Sequence, residues 1–316
     1  MCAMNEDLSN GKLYGYAIPG RFGLGHSLLA WACCFLWCRD NGAAMLAPRW
    51  LYFRLGPYLR REMDKRSYHK LFRKDVYIHS PRRLWLLATA ARFAAERESE
   101  AKLARGTRIV VFENDTHNNG KLFDTILGRH AEVRAELLRI ACPEHIPAVN
   151  VHGQFIGIHV RMGDFTRVSD PASLRATGNV QLPVEWYKEI LLAIRKQAGC
   201  DLPARVFSDG DEESLRPLLE LPNVTFVRPY SALHDILALS QAAALISSGS
   251  GFSQWAAYLG QVPRICFPNQ RRHRVLVPLG ATDLEPECET GVDVPAEFVA
   301  HLTGVLQRLE ESPLSA

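Results

Sequence analysis

No run in this chain of 316 residues is both long enough and apolar enough to suggest a membrane-spanning helix. The closest, LGHSLLAWACCFLWC at 24–38, has 15 residues, where a spanning helix needs about 20. It follows GKLYGYAIPGRFG rather than a short basic leader, so it reads as a core helix and not as a secretory signal. Paired CxxC spacings are missing as well. The eight cysteines (2, 33, 34, 38, 142, 200, 266, 288) show no ligand rhythm, which speaks against a zinc site or a disulfide framework and for a reducing compartment. Cys33, Cys34 and Cys38 read as small core residues. A strong excess of one charge is also lacking. The net charge of +3 implies no whole-molecule pull toward nucleic acid, and none is expected as a partner. Low-complexity tracts and internal repeats are absent. What is present is ordinary globular composition, 47% hydrophobic and 22% charged, over a length that suits two domains or one large α/β unit. A cytoplasmic protein is expected.

The first strand is expected at 13–19, LYGYAIP, closed by the glycine loop GRFGLG at 20–25. A helix follows in which Leu28, Leu29, Trp31, Ala32, Phe35 and Leu36 recur at helical spacing, ending near Asn41-Gly42. A short strand AAMLAP (43–48) completes a strand, loop, helix, strand opening like that of a doubly wound sheet. Residues 49–108 then carry 16 Lys or Arg against 6 Asp or Glu. This segment suits a solvated helical surface, a patch for an anionic acceptor, or a peripheral contact with the inner face of an acidic membrane; nothing in the sequence decides between them.

A buried strand is expected over TRIVVFEND (107–115), with Glu113, Asn114 and Asp115 at its carboxyl end. A helix near 130–142 leads to Pro143 and Pro147, a domain break. Thereafter strands at 155–160, 204–209, 224–227, 244–249 and 263–268 alternate with helices at 184–198, 214–221, 234–243 and 252–260. Regular β/α alternation of this kind is the signature of a parallel sheet with crossover helices. The expected fold is α/β: an N-terminal acceptor-side domain (1–152) and a C-terminal donor-nucleotide domain (153–316), both Rossmann-like and doubly wound, facing a cleft. The C-terminal helix is left free to pack back on the first domain.

Three loops at expected strand ends carry chemistry. The first is His159-Val160-Arg161-Met162-Gly163-Asp164, in which His159 and Arg161 share a face by strand alternation and so converge on one ligand. The second is Phe207-Ser208-Asp209-Gly210-Asp211. The third, Ser247-Ser248-Gly249-Ser250-Gly251-Phe252-Ser253, opens a helix. Small and hydroxyl residues there free backbone amides to face an anion, and the helix dipole adds partial positive charge. Arg161 supplies planar donors suited to phosphate oxygens. Asp235 opens the preceding helix, as its cap or as an acceptor for a base or ribose. Together these describe a nucleotide diphosphate site; ordinary turns and a buried structural His159 are the bland alternatives. Asp209-x-Asp211 could hold a divalent cation, but Asp211 is followed by Glu212 and Glu213 entering a helix, where negative charge is at home without a metal.

The order of HVRMGDF, FSDGD and DILALSQAAALISSGSGFSQWAAYL resembles the three peptide motifs of the α1,2-, α1,6- and protein O-fucosyltransferase superfamily, the α1,2 branch being glycosyltransferase family eleven. GLGHSLLAWA at 23–32 looks like the Gly-Leu-Gly-Asn-Gln opening of the α1,2 branch, and GRFG at 20–23 is similar to the protein O-fucosyltransferase opening. All blocks keep their order over residues 18 to 268. The resemblance implies an inverting, metal-independent GT-B-type transferase. It would move fucose from GDP-fucose to a glycan hydroxyl, α1,2-type in glycan or surface-polysaccharide synthesis, with no cofactor and no obligatory metal. Its implied partners are a nucleotide-sugar donor and a glycan acceptor. On the same ground Arg161 matches the arginine that binds the donor diphosphate. Ser250, Gly251, Phe252 and Ser253 match the phosphate-side loop, and Asp209 and Asp235 the acids at the guanosine end. Arg21 lies near the fucosyl linkage if the GRFG alignment holds. Met162 stands where the motif has a second arginine, Gln254 where the α1,2 branch has tryptophan, and His26 where asparagine is expected, which marks a divergent branch. His26, Glu113, Asp115 and Asp164 are candidates for a catalytic base. The alternatives are a transferase of another nucleotide sugar, metal-dependent through Asp209 and Asp211, and a non-catalytic binder on a decayed transferase scaffold.

Overall fold

The computed structural model describes residues 12–20, 23–50, 68–113, 119–148, 154–163, 165–168, 170–176 and 180–311. The chain divides into two compact units. The first comprises Met1–Leu55, Arg66–Ile126 and Ala135–Cys142; the second comprises Gly56–Lys65, Leu127–Arg134 and Pro143–Ala316.

In the first unit, strand β1 (Leu13–Ile18) leads to helix α1 (Leu24–Asp40) and strand β2 (Ala44–Leu46). Helix α2 (Arg82–Thr89), strand β3 (Ala91–Ala94), helix α3 (Glu98–Leu103), strand β4 (Arg108–Glu113) and helix α4 (Asn119–Ile126) follow. The sheet is parallel in the order β2-β1-β4-β3. Helix α1 lies directly on β1: a Cβ added at Gly15 would fall 2.9 Å from Cys34 Sγ and nearer still to Cys38 Sγ. Gly15 therefore lets helix and strand approach, with the two cysteine sulfurs filling the space a Cβ would take. Strand β3 has no counterpart in the sequence reading. It is an edge strand of four residues, three of them exposed, so it lacks the apolar run that reveals a central strand.

Helix α5 (His130–Ile140) contributes its first residues to the second unit and its last to the first. The second unit then runs β5 (Ile156–Val160), α6 (Pro171–Ala176), α7 (Val184–Ala198), β6 (Ala204–Ser208), α8 (Glu212–Leu219), β7 (Val224–Val227), α9 (Ala232–Leu239), β8 (Ala244–Ser247), α10 (Gly251–Gly260), β9 (Arg264–Cys266) and α11 (Ala296–Glu311). All pairings are parallel, in the order β7-β6-β5-β8-β9. Alternate residues Ile156, Ile158 and Val160 join Val206, Ile246 and Ile265 in one core with Tyr187, Ile190 and Ile194 of α7 and Leu215 and Leu218 of α8. On the other face Gly157 admits Leu239 and Leu245; a Cβ there would lie 2.7 Å from Leu245 Cδ2. Burial on both faces explains the near-continuous apolar strands.

Two expectations are corrected. Phe298, Val299 and Leu302 of α11 join this same core, and α11 packs on α7, so the helix belongs to the second unit. The helix expected over 234–243 instead spans Ala232–Leu239; Ser231 is its cap, accepting from His234 N at 3.2 Å, and Asp235 is not.

Candidate functional site

The chain leaves β5 for β6 and β7 on one side, then returns to lay β8 and β9 on the other. A sheet whose winding reverses in this way opens a crevice at the carboxyl ends of the two strands flanking the reversal. Those strands are β5 and β8, and they end in the loops that carry His159-Arg161 and Ser247–Ser253.

His159, in register with Ser247 of β8, is 5% exposed. Its Nδ1 lies 3.1 Å from Ser248 Oγ and 3.1 Å from Ser253 Oγ. The Ser253 hydroxyl has one proton, and the carbonyls of Ser248 and Ser250, at 3.1 and 3.2 Å, can only accept it. Toward the ring Ser253 Oγ is then an acceptor, which assigns a proton to Nδ1. Burial, reinforced by the Arg161 guanidinium, pushes its pKa down to about 3. Neither the strand nor the loop works alone: a buried histidine stitches the end of β5 to the first turn of α10.

Ser250 caps that helix, accepting from Phe252 N at 3.2 Å, and is itself buried. The Phe252 ring stacks on His159 with centroids 6.1 Å apart and planes within 6°. The Arg161 guanidinium sits 6.0 Å from the same ring and 5.7 Å from that of Phe165. Phe252 thus joins His159 and Arg161, and the first and third loops meet at one place.

The second loop arrives there through Asp209. Its Oδ2 is 2.6 Å from Arg161 Nη1, and its two oxygens accept from the backbone of Met162 (2.8 Å) and Gly163 (3.0 Å). A Cβ at Gly163 would collide with that carboxylate. Asp209 therefore aims Arg161 and offsets its charge, a role not evident from the motif because it depends on the lateral register of β5 and β6, Val160 against Ser208. Met162 offers its backbone amide to Asp209 and its carbonyl to Gln181 Nε2, while its side chain packs against the core. Asp211 is spent on α8, accepting from Ser214 N at 2.7 Å, and this bond holds its pKa below the usual carboxylate range.

Asp235 lies in the first turn of α9 with His234 Nδ1 3.5 Å from its Oδ1. Burial raises its pKa against the opposing pull of His234. Its Oδ1 and the Nε2 of Gln254 are buried without a hydrogen-bond partner. Such groups are costly unless something pairs with them. Gln254 is a residue the motif reading treated only as a departure.

His26 lies in the first turn of α1 and Glu113 is exposed at the end of β4, both in the first unit. Arg21, Asp115 and Asp164 lie outside the described residues. Among the described residues no group of three or more His, Cys, Asp or Glu is placed to hold a metal ion.

The fold and the loops define a class: a parallel, doubly wound domain whose switch point is lined by a capped helix N-terminus and an oriented arginine, as anion-binding nucleotide sites are. Residues 132–270 match the family model "Glycosyl transferase family 11", a span that takes in all three loops. Over that span the chain is similar to this family, and it is a glycosyltransferase. No curated protein matches the sequence. Among solved structures, the chain is similar to a mutant of Arabidopsis thaliana FUT1 in complex with GDP, with 11% identity, a TM-score of 0.46, and coverage of 84% of this chain and 73% of that one. It is also similar to the NodZ α-1,6-fucosyltransferase of Bradyrhizobium co-crystallized with GDP (16%, 0.41, 83% and 96%). A third is the E. coli heptosyltransferase WaaC with ADP-2-deoxy-2-fluoro heptose (13%, 0.43, 94% and 99%).

Proposed function

We propose that the chain transfers fucose from GDP-fucose to a glycan hydroxyl with inversion, as an α1,2-type transferase. The observation that carries this reading is the convergence of Arg161, Asp209 and the Ser250-capped helix N-terminus at the switch point of the second unit. The order of the three motifs and the family match over the same residues support the choice of donor.

In an inverting transfer the acceptor hydroxyl attacks the anomeric carbon as the sugar–phosphate bond breaks, and the GDP leaves with the bonding pair. The chief demand on the protein is to stabilise charge growing on the diphosphate. Arg161 meets it with donors already aimed by Asp209, so little reorganisation is needed at the moment of reaction. The backbone amides at the start of α10 add the helix dipole. His159, neutral at physiological pH, takes no proton from the acceptor; it holds Ser253 and Phe252 in place. Asp209 and Asp211 are both engaged in hydrogen bonds within the protein, which favours a metal-independent site over a DxD metal clamp. His26, Glu113, Asp115 and Asp164 are the groups to test as base, with Arg21 at the fucosyl linkage and Asp235 at the guanosine.

A thermal-shift panel of GDP, UDP, ADP and CMP, each with and without EDTA, tests the reading. A GDP-selective rise that EDTA leaves unchanged is expected; a response to UDP that requires manganese would overturn it.

A further inference from the structure

The basic segment contains one surface that the transferase reading does not use. Helix α2, RRLWLLAT, buries Leu86 among Tyr14, Tyr16, Leu46 and Ile109 of the first unit. Its opposite side exposes Leu84 (57%) and Trp85 (61%), with Ala88 one turn on. Residues three and four apart share a helix face, so these form one continuous apolar stripe. Single exposed apolar residues need no explanation, but an adjacent leucine and tryptophan on one short helix do.

The charge around the stripe has one sign. Between Asp75 and Glu96 the chain has no carboxylate, while Arg82, Arg83 and Arg92 fall in that interval. Arg82 is exposed at the start of α2. Arg92 is exposed on β3 and donates to the carbonyl of Leu87, which fixes it beside the helix's last turn. Arg83 donates to Ala47 O at 2.9 Å. Further along, Arg97 and Lys102 are paired with Glu100 and Glu98, whereas α2 and β3 themselves carry no carboxylate.

We propose that this face of α2 docks on an anionic membrane surface, with Leu84 and Trp85 entering the headgroup region and Arg82 and Arg92 facing lipid phosphates. An amphipathic surface with tryptophan and leucine on one side and arginine at its edge is what an interfacial helix requires. Arginines near an anionic leaflet are drawn to its surface charge, and Leu84 and Trp85 supply the apolar part. A second copy of the chain is a poorer occupant, because a two-fold contact would set the same arginine-edged patch against itself. The docking surface is independent of the donor site and stands whether or not the sugar is fucose.

The test uses the full chain in cosedimentation with vesicles of phosphatidylcholine alone or with about a third phosphatidylglycerol. The expected result is binding to the anionic vesicles that falls at least tenfold at 0.5 M salt or in the Leu84→Ser, Trp85→Ser double variant. Arg82→Gln with Arg92→Gln is a second, charge-only variant, expected to weaken binding to anionic vesicles several-fold while leaving thermal stability intact. Absence of binding by the natural chain, or equal binding by the variants, would overturn the proposal. So would a concentration-dependent dimer, abolished by the double variant, in a chain that ignores vesicles.

Discussion

Replacing His159 by asparagine should change how the protein's stability depends on pH. In the native chain the ring is buried and its pKa is pushed down to about 3, against 6.5 in the unfolded chain. The depressed value means that the unfolded state takes up a proton before the folded state does. This favourable term for folding is complete above pH 6.5 and is lost as pH falls from there toward 3. Each pH unit in that window costs about 1.4 kcal/mol, so the loss at pH 4.5 is about 3 kcal/mol. Asparagine retains a side-chain N–H for Ser253 or Ser248 but does not titrate. At pH 7 the variant is expected to be the less stable protein, since it loses the stacking on Phe252. The gap should then close by about 3 kcal/mol on going to pH 4.5. Urea unfolding of both proteins at pH 7, 5.5 and 4.5 measures it, and other titrating groups cancel in the difference. Parallel stability curves across that range would show that folding does not lower the ring's pKa, and the burial argument would fail.

Three further outcomes follow from the same geometry. Arg161→Ala should lower kcat/KM by about 10²–10³ with the fold intact by circular dichroism, the loss expected when one preorganised donor to a developing charge is removed; near-normal turnover would sink its assignment. Asp209→Asn loses the charge that holds Arg161 and can no longer accept with equal strength from Met162 and Gly163; a higher KM for the donor with a smaller change in kcat is expected in steady-state assays. Gly157→Ala places a methyl 2.7 Å from Leu245 and 3.1 Å from Leu239; overpacking of that kind costs about 1–3 kcal/mol, readable in the urea midpoint.

Periodicity and turn chemistry located the second unit's strands and its longer helices, but not the short α6. VEWYKEILLAIRKQA and VTFV fall on α7 and β7 without adjustment, because a half-buried helix and a four-residue strand bounded by turns leave unambiguous patterns. The candidate donor residues were legible as well: Arg161 and Ser250–Ser253 stand beside strand ends, where chain order alone puts functional loops. Strand β3 and helices α2 and α3 were not legible, since an exposed edge strand and short surface helices bury too little to impose a rhythm. Neither was the end of α9 at Leu239, where Ser240 closes the helix although the apolar run continues into β8.

What the sequence determined by itself is the local order of chemistry: an arginine after β5, a carboxylate after β6, a serine-glycine turn before α10. What only the tertiary structure decided is how these act on one another. Asp209 aims Arg161 because β5 and β6 pair in one register, and His159 is neutral because α10 closes over it. Both depend on residues 46 to 94 positions apart in the chain. Charge, protonation and orientation are set by such neighbours in space, and a one-dimensional pattern carries no distance between them.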